Sequence, residues 1–336
     1  MRVAIMTDEV GWHTRQLQAA LRARGAQGRC VDLADCSVDT TASWHGLAIP
    51  GFGRELPDAA LVRGIAGGSF EQVTKRLGVL HALRALGVPV YNDARAIERS
   101  VDKAMTSLLL HAAQVPAPAT WATESSAQAR RVLMRERAAG HQLVLKPLFG
   151  SQGKGLQRLG DVAPADAAAP GGAGDGTLPA LDGLYGGLAY LQRFVPPLQA
   201  GDGAPGFDWR VLVIAGRAVA AMRRVSAHWV HNVAQGATCE PCTLTPALAQ
   251  LAERAAAALE LDYAGVDLMP LDAEAAVQVI EVNGIAAWQG LQRVTDFNIA
   301  RALVDDLLDR RLAAVPVAAA SADAPAAAQR RPLRRA

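Results

Sequence analysis

Cysteine is scarce in this sequence, four in 336 residues. A chain so long with so few cannot carry a disulfide framework, and the expectation is a reduced, cytoplasmic protein. Aromatic residues are only 5%; beside abundant Ala and Gly, this reads as compositional bias and carries no function. No apolar run reaches the roughly 18 residues that a membrane-spanning helix needs, so no membrane partner is expected. The opening Met1-Arg2-Val3-Ala4-Ile5-Met6-Thr7 meets the acidic pair Asp8 and Glu9 after four apolar residues, which is not a secretory signal. Charge of one sign is missing too. The formal net charge is +2, which gives no electrostatic case for a nucleic-acid partner. What the chain does have is a core: 51% hydrophobic and 20% charged residues describe a globular protein. Its length suits about two to three domains of roughly 100–200 residues each.

The first hundred residues alternate between short apolar runs and helical patterns. Val3-Ala4-Ile5-Met6 reads as a buried strand, and Thr14 to Gly25 as a helix with Leu17, Ala20 and Leu21 on one side. Cys30 to Leu33, Leu47 to Ile49 and Ala60 to Val62 are further strand-like runs. A helix face through Leu77, Leu80, Leu83 and Leu86 stops at Gly87, before a strand at Val88 to Tyr91. Such alternation predicts a mostly parallel sheet, which binds ligands beyond the carboxyl ends of its strands. A helix from Val101 to Ala113 follows, ending before Pro116, and then a strand Leu143 to Lys146. Residues 163–180 are rich in Ala, Gly and Pro and read as a flexible insertion. Beyond them the pattern turns antiparallel. Ala189 to Val195 is a strand, and Trp209 to Ile214 with Arg217 to Met222 form a hairpin about Ala215-Gly216. Pro246 to Leu259 is an Ala-rich helix, Gly265 to Met269 and Val277 to Val282 are strands, and Ile299 to Leu312 is a closing helix. The tail from about Ala314, ending in four arginines, reads as disordered and solubilising. The resulting division is an α/β unit at 1–98, a central unit at 99–188, an α+β unit at 189–313 and a tail at 314–336.

Three groups of residues carry chemistry. Gly150-Ser151-Gln152-Gly153-Lys154-Gly155 follows a strand ending in Lys146. Glycines admit a phosphate to backbone N–H groups, and the lysines add charge. An ordinary hairpin turn is the other reading, because neither the P-loop nor the dinucleotide pattern is present. The second group is acidic. Asp267, Glu281 and Asn283 lie in apolar strand runs, where charge is costly unless paired or metal-bound. Glu281 and Asn283 are two apart and share a face. Three oxygen ligands on one face suit Mg²⁺; polar strand ends satisfied by turns are the alternative. The third group is cationic: Lys103, Lys146, Arg210, Arg223 and Arg224. A two-residue turn pairs Ile214 with Arg217 and places Arg223 on the face of Arg210, and a bulge would replace it with Arg224.

Other candidates are thinner. Cys239 and Cys242 have the spacing of half a zinc site, with no second pair to complete it. His228-Trp229-Val230-His231 lacks a metalloprotease glutamate and reads as a substrate-facing loop. Trp12 and His13, after the first strand, face either an acceptor or the core.

Taken in order, these stretches resemble the ATP-grasp superfamily, in particular the RimK-type carboxylate–amine ligases. The matching set is Val90-Tyr91-Asn92-Asp93 with Asp102-Lys103; Lys146 to Gly155; Gln192 to Val195; Asp208-Trp209-Arg210; Arg224 with His228-Trp229 and Asn232; Gly265 to Leu268; and Glu281-Val282-Asn283. It spans roughly residues 1 to 312. The resemblance implies an ATP-grasp fold, with an amino-terminal parallel α/β domain and two α+β subdomains clasping ATP. It implies that Lys103 and Lys146 contact phosphates, that Gly150, Ser151, Gln152, Gly153 and Gly155 close over them, and that Gln192, Arg193, Phe194 and Val195 line the adenine pocket. Asp267, Glu281 and Asn283 would hold two Mg²⁺ ions, with Mn²⁺ able to substitute. Arg210 and Asn232 would sit near the transferring phosphoryl group, and Arg224 would bind a substrate carboxylate or the acyl phosphate, which favours the bulged hairpin. His231 stands where relatives often carry Thr or Ser, and Gly284-Ile285-Ala286 where many carry Ser-Pro. The implied reaction joins an amino acid such as glutamate to a small-molecule carboxylate, a pterin cofactor such as tetrahydromethanopterin among them, through an acyl phosphate. Modification of a protein or carrier-protein terminus and phosphoryl transfer to a hydroxyl are the alternatives. A non-catalytic nucleotide-binding role sits poorly with a complete metal-ligand set. Relatives are often dimers or tetramers, so a homo-oligomer is compatible with the reading.

Overall fold

A computed structural model describes residues 1–150, 153–160, 177–199, 204–271 and 276–313. Ser151, Gln152, most of the 163–180 insertion and the 314–336 tail lie outside the described residues.

The amino-terminal strands are β1 (Arg2–Met6), β2 (Gln27–Val31), the small β3–β4 hairpin (Ser37–Val38 and Leu47–Ala48), β5 (Ala59–Val62) and β6 (Val90–Tyr91). β2, β1, β5 and β6 pair in that order, all parallel. Strands buried on both faces need apolar residues throughout, and Val3 to Met6 are all fully buried. Helices α1 (Trp12–Ala23) and α2 (Phe70–Ala85) cover the two faces: Val3 and Ile5 pack with Leu17 and Leu21, and Ala4 and Met6 with Val79, Leu80 and Leu83. Two expected boundaries move. The second strand ends at Val31, and Leu33–Asp35 is a 3₁₀ turn that Asp32 caps by accepting from the Ala34 N–H. The expected Val101–Ala113 helix is the second of two, α3 (Ala94–Val101) and α4 (Lys103–Ala112). Asp102 between them is extended and accepts from the Ala104 and Met105 N–H groups, so one side chain ends a helix and starts the next.

A second sheet contains β7 (Thr120–Thr123), β8 (Leu143–Lys146), β9 (Gln157–Leu159) and β10 (Ala189–Arg193), in the order β7-β10-β8-β9. Helix α5 (Ser126–Ala138) packs Ala129, Val132 and Leu133 onto it. The third and largest sheet holds β11 (Leu198–Gln199), β12 (Gly206–Ile214), β13 (Arg217–Ser226), β14 (Thr238–Pro241), β15 (Tyr263–Pro270) and β16 (Val277–Asn283). Its order is β14-β13-β12-β15-β16, with β11 beside β12.

Side-chain alternation gives this sheet two unlike faces. Val211, Val213, Val266, Leu268, Val279 and Val282 pack against α6 (Pro246–Ala258) through Leu248, Leu251, Ala252 and Ala255. The opposite face has two halves. Near the β12–β13 turn, Leu212, Ile214 and Met222 join the core of β1 and α1. One side-chain step further along β12, the face becomes charged with Arg210 and Asp208. Asn92 fixes the junction of the two sheets: its Oδ1 accepts from the Asp262 and Tyr263 N–H groups, and its Nδ2 donates to the Tyr263 and Gly284 carbonyls. The closing helix Ile299–Asp306 ends as a wider π turn over Leu307–Arg311, where a continuous α-helix was expected.

Candidate active site

The hairpin β12–β13 decides which arginine faces the cleft. Ile214 pairs with Arg217 and Val213 with Ala218, but Leu212 pairs with Ala220. This one-residue shift puts Arg224 opposite Asp208 and turns Arg223 to the other face. The unbulged reading of the hairpin is therefore corrected, and the bulge implied by the family resemblance is present. Across β15 the register sets Arg210 opposite Asp267, Asp267 opposite Glu281 and Gly265 opposite Asn283. Six polar side chains from four adjacent strands thus share one sheet face: Asp208, Arg210, Arg224, Asp267, Glu281 and Asn283.

Four of them form a buried ionic chain. Arg224 grips Asp208 through Nε at 2.7 Å and Nη2 at 2.5 Å, and Nη2 also reaches Asp267 Oδ2 at 3.0 Å. Arg210 grips Asp267 from the other side, Nε to Oδ1 and Nη2 to Oδ2 at 2.9 Å. Two cations and two anions cancel, which makes burial tolerable. Burial raises the Asp208 carboxyl to about 6 against the pull of Arg224. Burial also opposes ionisation of Asp267, but Arg210 and Arg224 together outweigh it and hold the group below the usual carboxylate range.

Glu281 makes no hydrogen bond or ion pair among the described residues. Asn283 donates from Nδ2 to the Gly265 carbonyl at 3.3 Å, and its Oδ1 accepts no hydrogen bond among the described residues. Hard oxygen donors on adjoining strands are what Mg²⁺ or Mn²⁺ takes, and the Asp267, Glu281 and Asn283 set fits such an ion. Asp267 offers its oxygens there only by sharing them with the two arginines.

The cleft above this face holds about 710 Å³ of free space, open to solvent. Of the expected site residues, Lys146, Gly153, Gln192, Arg193, Phe194, Val195, Arg224, Asn232, Asp267 and Glu281 line it. Lys146 donates to Gln192 Oε1 at 2.7 Å, and burial lowers its ammonium to about 8. Arg193 turns its side chain away to Glu136 at 2.7 Å and leaves its backbone in the wall. The Arg158 guanidinium lies 4.2 Å over the Phe194 ring, and Trp229 meets that ring edge-on at 5.7 Å. Lys103 stands in a smaller recess behind Lys146, where its Nζ donates to the Gly150 carbonyl at 2.9 Å and ties down the start of the glycine loop. Gly153 has φ +69°, and a Cβ there would lie 2.8 Å from Val230. The loop therefore rests against the 229–232 segment through a position only glycine fills without strain. Asn232 uses its Oδ1 to accept from the Ala234 N–H, and Arg210, Asn283, Gly150 and Gly155 lie outside the cleft lining.

Two lining residues were not singled out as site residues: Asp208, within the matching stretch before Arg210, and His231, within the loop read as substrate-facing. Asp208 was visible as an acid two residues before Arg210 in an apolar strand. His231 is 4% exposed, and neither ring nitrogen makes a hydrogen bond among the described residues; Nδ1 stands 3.8 Å from Asp208 Oδ2. Burial and then Arg224 lower its imidazole to about 4, so it is neutral at pH 7. His13, by contrast, lies outside this cleft, and His228 is exposed.

Comparison with known proteins identifies the fold and the reaction class. Residues 191–307 match the RimK-like ATP-grasp domain and residues 1–97 the RimK PreATP-grasp domain. The tetrahydromethanopterin:alpha-L-glutamate ligase of Methanosarcina acetivorans is 31% identical over 275 residues, 79% of this chain and 80% of its own. Its counterpart from Methanocaldococcus jannaschii is 33% identical over 252 residues, 75% of this chain and 79% of its own. The ATP-grasp ligase PsnB, solved with minimal precursor, Mg and ADP, superposes with a TM-score of 0.63 at 20% identity, covering 92% of this chain and 97% of that one. Shared by these relatives and by the clasp of two sheets about one charged cleft, the fold and chemistry place this chain in the RimK-like ATP-grasp family, as an ATP-dependent ligase.

Proposed function

We propose that the chain adds glutamate or a similar amino acid to a small-molecule carboxylate, with a pterin cofactor such as tetrahydromethanopterin as the leading acceptor. The acceptor carboxylate attacks the γ-phosphate of ATP, giving an acyl phosphate and ADP. The amine then attacks the acyl carbon, and phosphate leaves as the C–N bond forms. This sequence needs positioning and charge neutralisation rather than a covalent nucleophile. The single observation that carries the reading is the bulge-set face on which Asp208, Arg210, Arg224, Asp267, Glu281 and Asn283 meet.

On this reading Lys103 and Lys146 hold phosphates, and the Gly150–Gly155 loop covers them. The segment from Gln192 to Val195 takes the adenine. Asp267, Glu281 and Asn283 hold the divalent ions, two by the family pattern; Mg²⁺ or Mn²⁺ supplies charge neutralisation on the phosphate oxygens. Arg224 has a carboxylate-shaped fork already filled by Asp208, so a substrate carboxylate or acyl phosphate competes with that aspartate for it. On this reading Asn232, in the cleft lining, and Arg210, which reaches the cleft through Asp267, act on the transferring phosphoryl group. The relatives' names supply the glutamate and the pterin. Unit boundaries near residues 98, 188 and 313 follow the same assignment, and a homo-oligomer is compatible with it.

ADP release with Mg²⁺, measured against a matrix of amino acids and carboxylate acceptors with products read by mass, tests the proposal. A product heavier by one amino acid less water, formed only with both substrates, supports it. A product heavier by a phosphoryl group refutes it. In Glu281→Gln, turnover should fall by about 10²–10³. Full turnover in that variant would remove Glu281 from the site.

A further inference from the structure

At the carboxyl ends of β1 and β5, away from the cleft described above, a second set of donors stands without partners. Arg63 follows β5 directly. Its Nη1 donates to the Ala286 carbonyl at 2.6 Å and to the Tyr263 hydroxyl at 3.2 Å. Its Nε is buried and has no hydrogen-bond partner, and among the described residues its hydrogen bonds all come from Nη1. Nε and Nη2 form the same edge with which Arg224 holds Asp208. That edge fits a carboxylate bidentately.

Two further donors lie beside it. His13 Nε2 accepts from the backbone N–H groups of Trp288 at 3.1 Å and Gln289 at 3.2 Å. Its proton therefore sits on Nδ1, which makes no hydrogen bond among the described residues. The Trp288 ring lies 4.9 Å from that of His13 and 4.8 Å from that of Trp12, and its indole N–H is buried and unpaired. Donors left unmatched in a folded protein are costly unless a ligand uses them. Asp8 stands at the rim, its carboxylate lying against Gly64, the residue after Arg63, and it forms no ion pair with Arg63 among the described residues. Free donors with a carboxylate at the edge suit a zwitterion better than a plain anion.

The cluster is one residue from the reaction centre. Ala286, held by Arg63, packs against Gly265, and the Arg210 side chain touches the same glycine: a Cβ there would lie 2.9 Å from Ala286 Cβ and 3.1 Å from Arg210 Cδ.

We infer that Arg63, with His13 and Trp288, forms a binding site for the α-carboxylate of the incoming amino acid, the substrate that supplies the amine. The inference rests on the ligase reading for the identity of that substrate, but it is read by binding alone. The test uses the full chain and calorimetry with L-glutamate, L-aspartate, L-alanine and glycine, each against its α-amide, in wild type, Arg63→Lys and Arg63→Gln. The wild type should bind at least one amino acid about tenfold or more tightly than its α-amide. Arg63→Lys keeps a cation for the Ala286 carbonyl but loses the fork. In both variants affinity for the amino acid should fall about 10- to 100-fold, the preference over the amide should vanish, and in turnover KM for the amine should rise with kcat nearly unchanged. Equal binding of acid and amide by the wild type, no binding of any amino acid, or unaltered preference in a correctly melting Arg63→Lys overturns the site. A rise in KM for the acceptor instead of the amine overturns it as well. Selective binding without ligation of any acceptor leaves the site standing and defeats the ligase reading.

Discussion

The parallel sheet and the large antiparallel sheet meet in one core, yet they bury different things. β1 and β5 are apolar on both faces, and their side chains are satisfied by contact alone. β12 and β15 are apolar only toward α6; their other face changes from Leu212 to Arg210 in one side-chain step. Apolar burial stabilises by about 25 cal/mol per Å² whatever the neighbour. A buried ion stabilises nothing unless its partner is in place. The first sheet is therefore a source of stability that tolerates similar shapes, and the second is an arrangement that tolerates almost no change. Substitutions in the two should separate folding from turnover.

The largest effect is expected at Arg224. Arg224→Ala leaves Asp208 buried with no ion-pair partner among the described residues except a neutral histidine at 3.8 Å, and removes one of the three arginine contacts of Asp267. Stability should drop by about 3–5 kcal/mol. Amine-dependent ADP release should fall by at least about 10²-fold at temperatures where the variant is folded. Denaturant melts and single-temperature kinetics measure the two separately. A stable, active Arg224→Ala would mean that the ionic face is neither structural nor catalytic.

Ile5→Ala is the counterpart in the parallel sheet. Ile5 is fully buried between β1 and α1. The cavity should cost about 2–4 kcal/mol, with kcat and both KM values unchanged below the melting transition. A fall in kcat would show that the two sheets are mechanically coupled through their shared core, and the proposed separation would fail.

The histidines sharpen the contrast at lower magnitude. His13 and His231 sit one in each region, and both are lowered to about 4, mainly by burial and then by Arg63 and Arg224 respectively. A base with a depressed pKa binds its proton less well folded than unfolded. Stability is therefore fully present above about pH 6.5 and is lost as pH falls toward 4. Discounted for partial solvent screening, each should contribute about 1 kcal/mol of loss by pH 5. Melting curves at pH 7 and 5 should show that His231→Asn and His13→Asn each remove part of this slope. Only the His13 change should also disturb the 288–289 backbone it supports. An unchanged slope in both would mean that neither ring is buried neutral.

How much of this was legible beforehand follows the same division. The parallel sheet is written in apolar runs and glycine stops, which need no partner to be recognised. Its misread points are local competitions: Asp102 caps a new helix where periodicity continues, and Asp32 turns the chain before Leu33. β7 and α5 left little signal, because Thr120–Thr123 is short and the helix face through Ala129, Val132 and Leu133 carries a charged residue, Glu136, at its next buried position. In the large sheet, residue types were readable but pairing was not. A period of two put Arg223 in the site. Only the ordered family resemblance demanded the bulge that selects Arg224. The ionic partners Asp208 and Asp267 depend on cross-strand register, which a linear pattern does not contain.

The smallest expected effect tests the loop that joins the two halves of the cleft. Gly153 combines a left-handed φ of +69° with a contact that would set a Cβ 2.8 Å from the Val230 side chain. Gly153→Ala should therefore cost about 1 kcal/mol of local strain, spent where the loop rests on the 229–232 segment and far from either core. Global melting should barely move, because loops with few buried contacts open independently of the sheets. Nucleotide affinity should weaken by a few-fold, about what 1 kcal/mol gives, since closure over phosphates would have to include that strain. KM for ATP should rise while KM for the amine stays constant. Equal increases for both substrates would show that the loop positions the reaction centre as a whole, and the division between a stabilising sheet and a catalytic one would then have to include the glycine loop on the catalytic side.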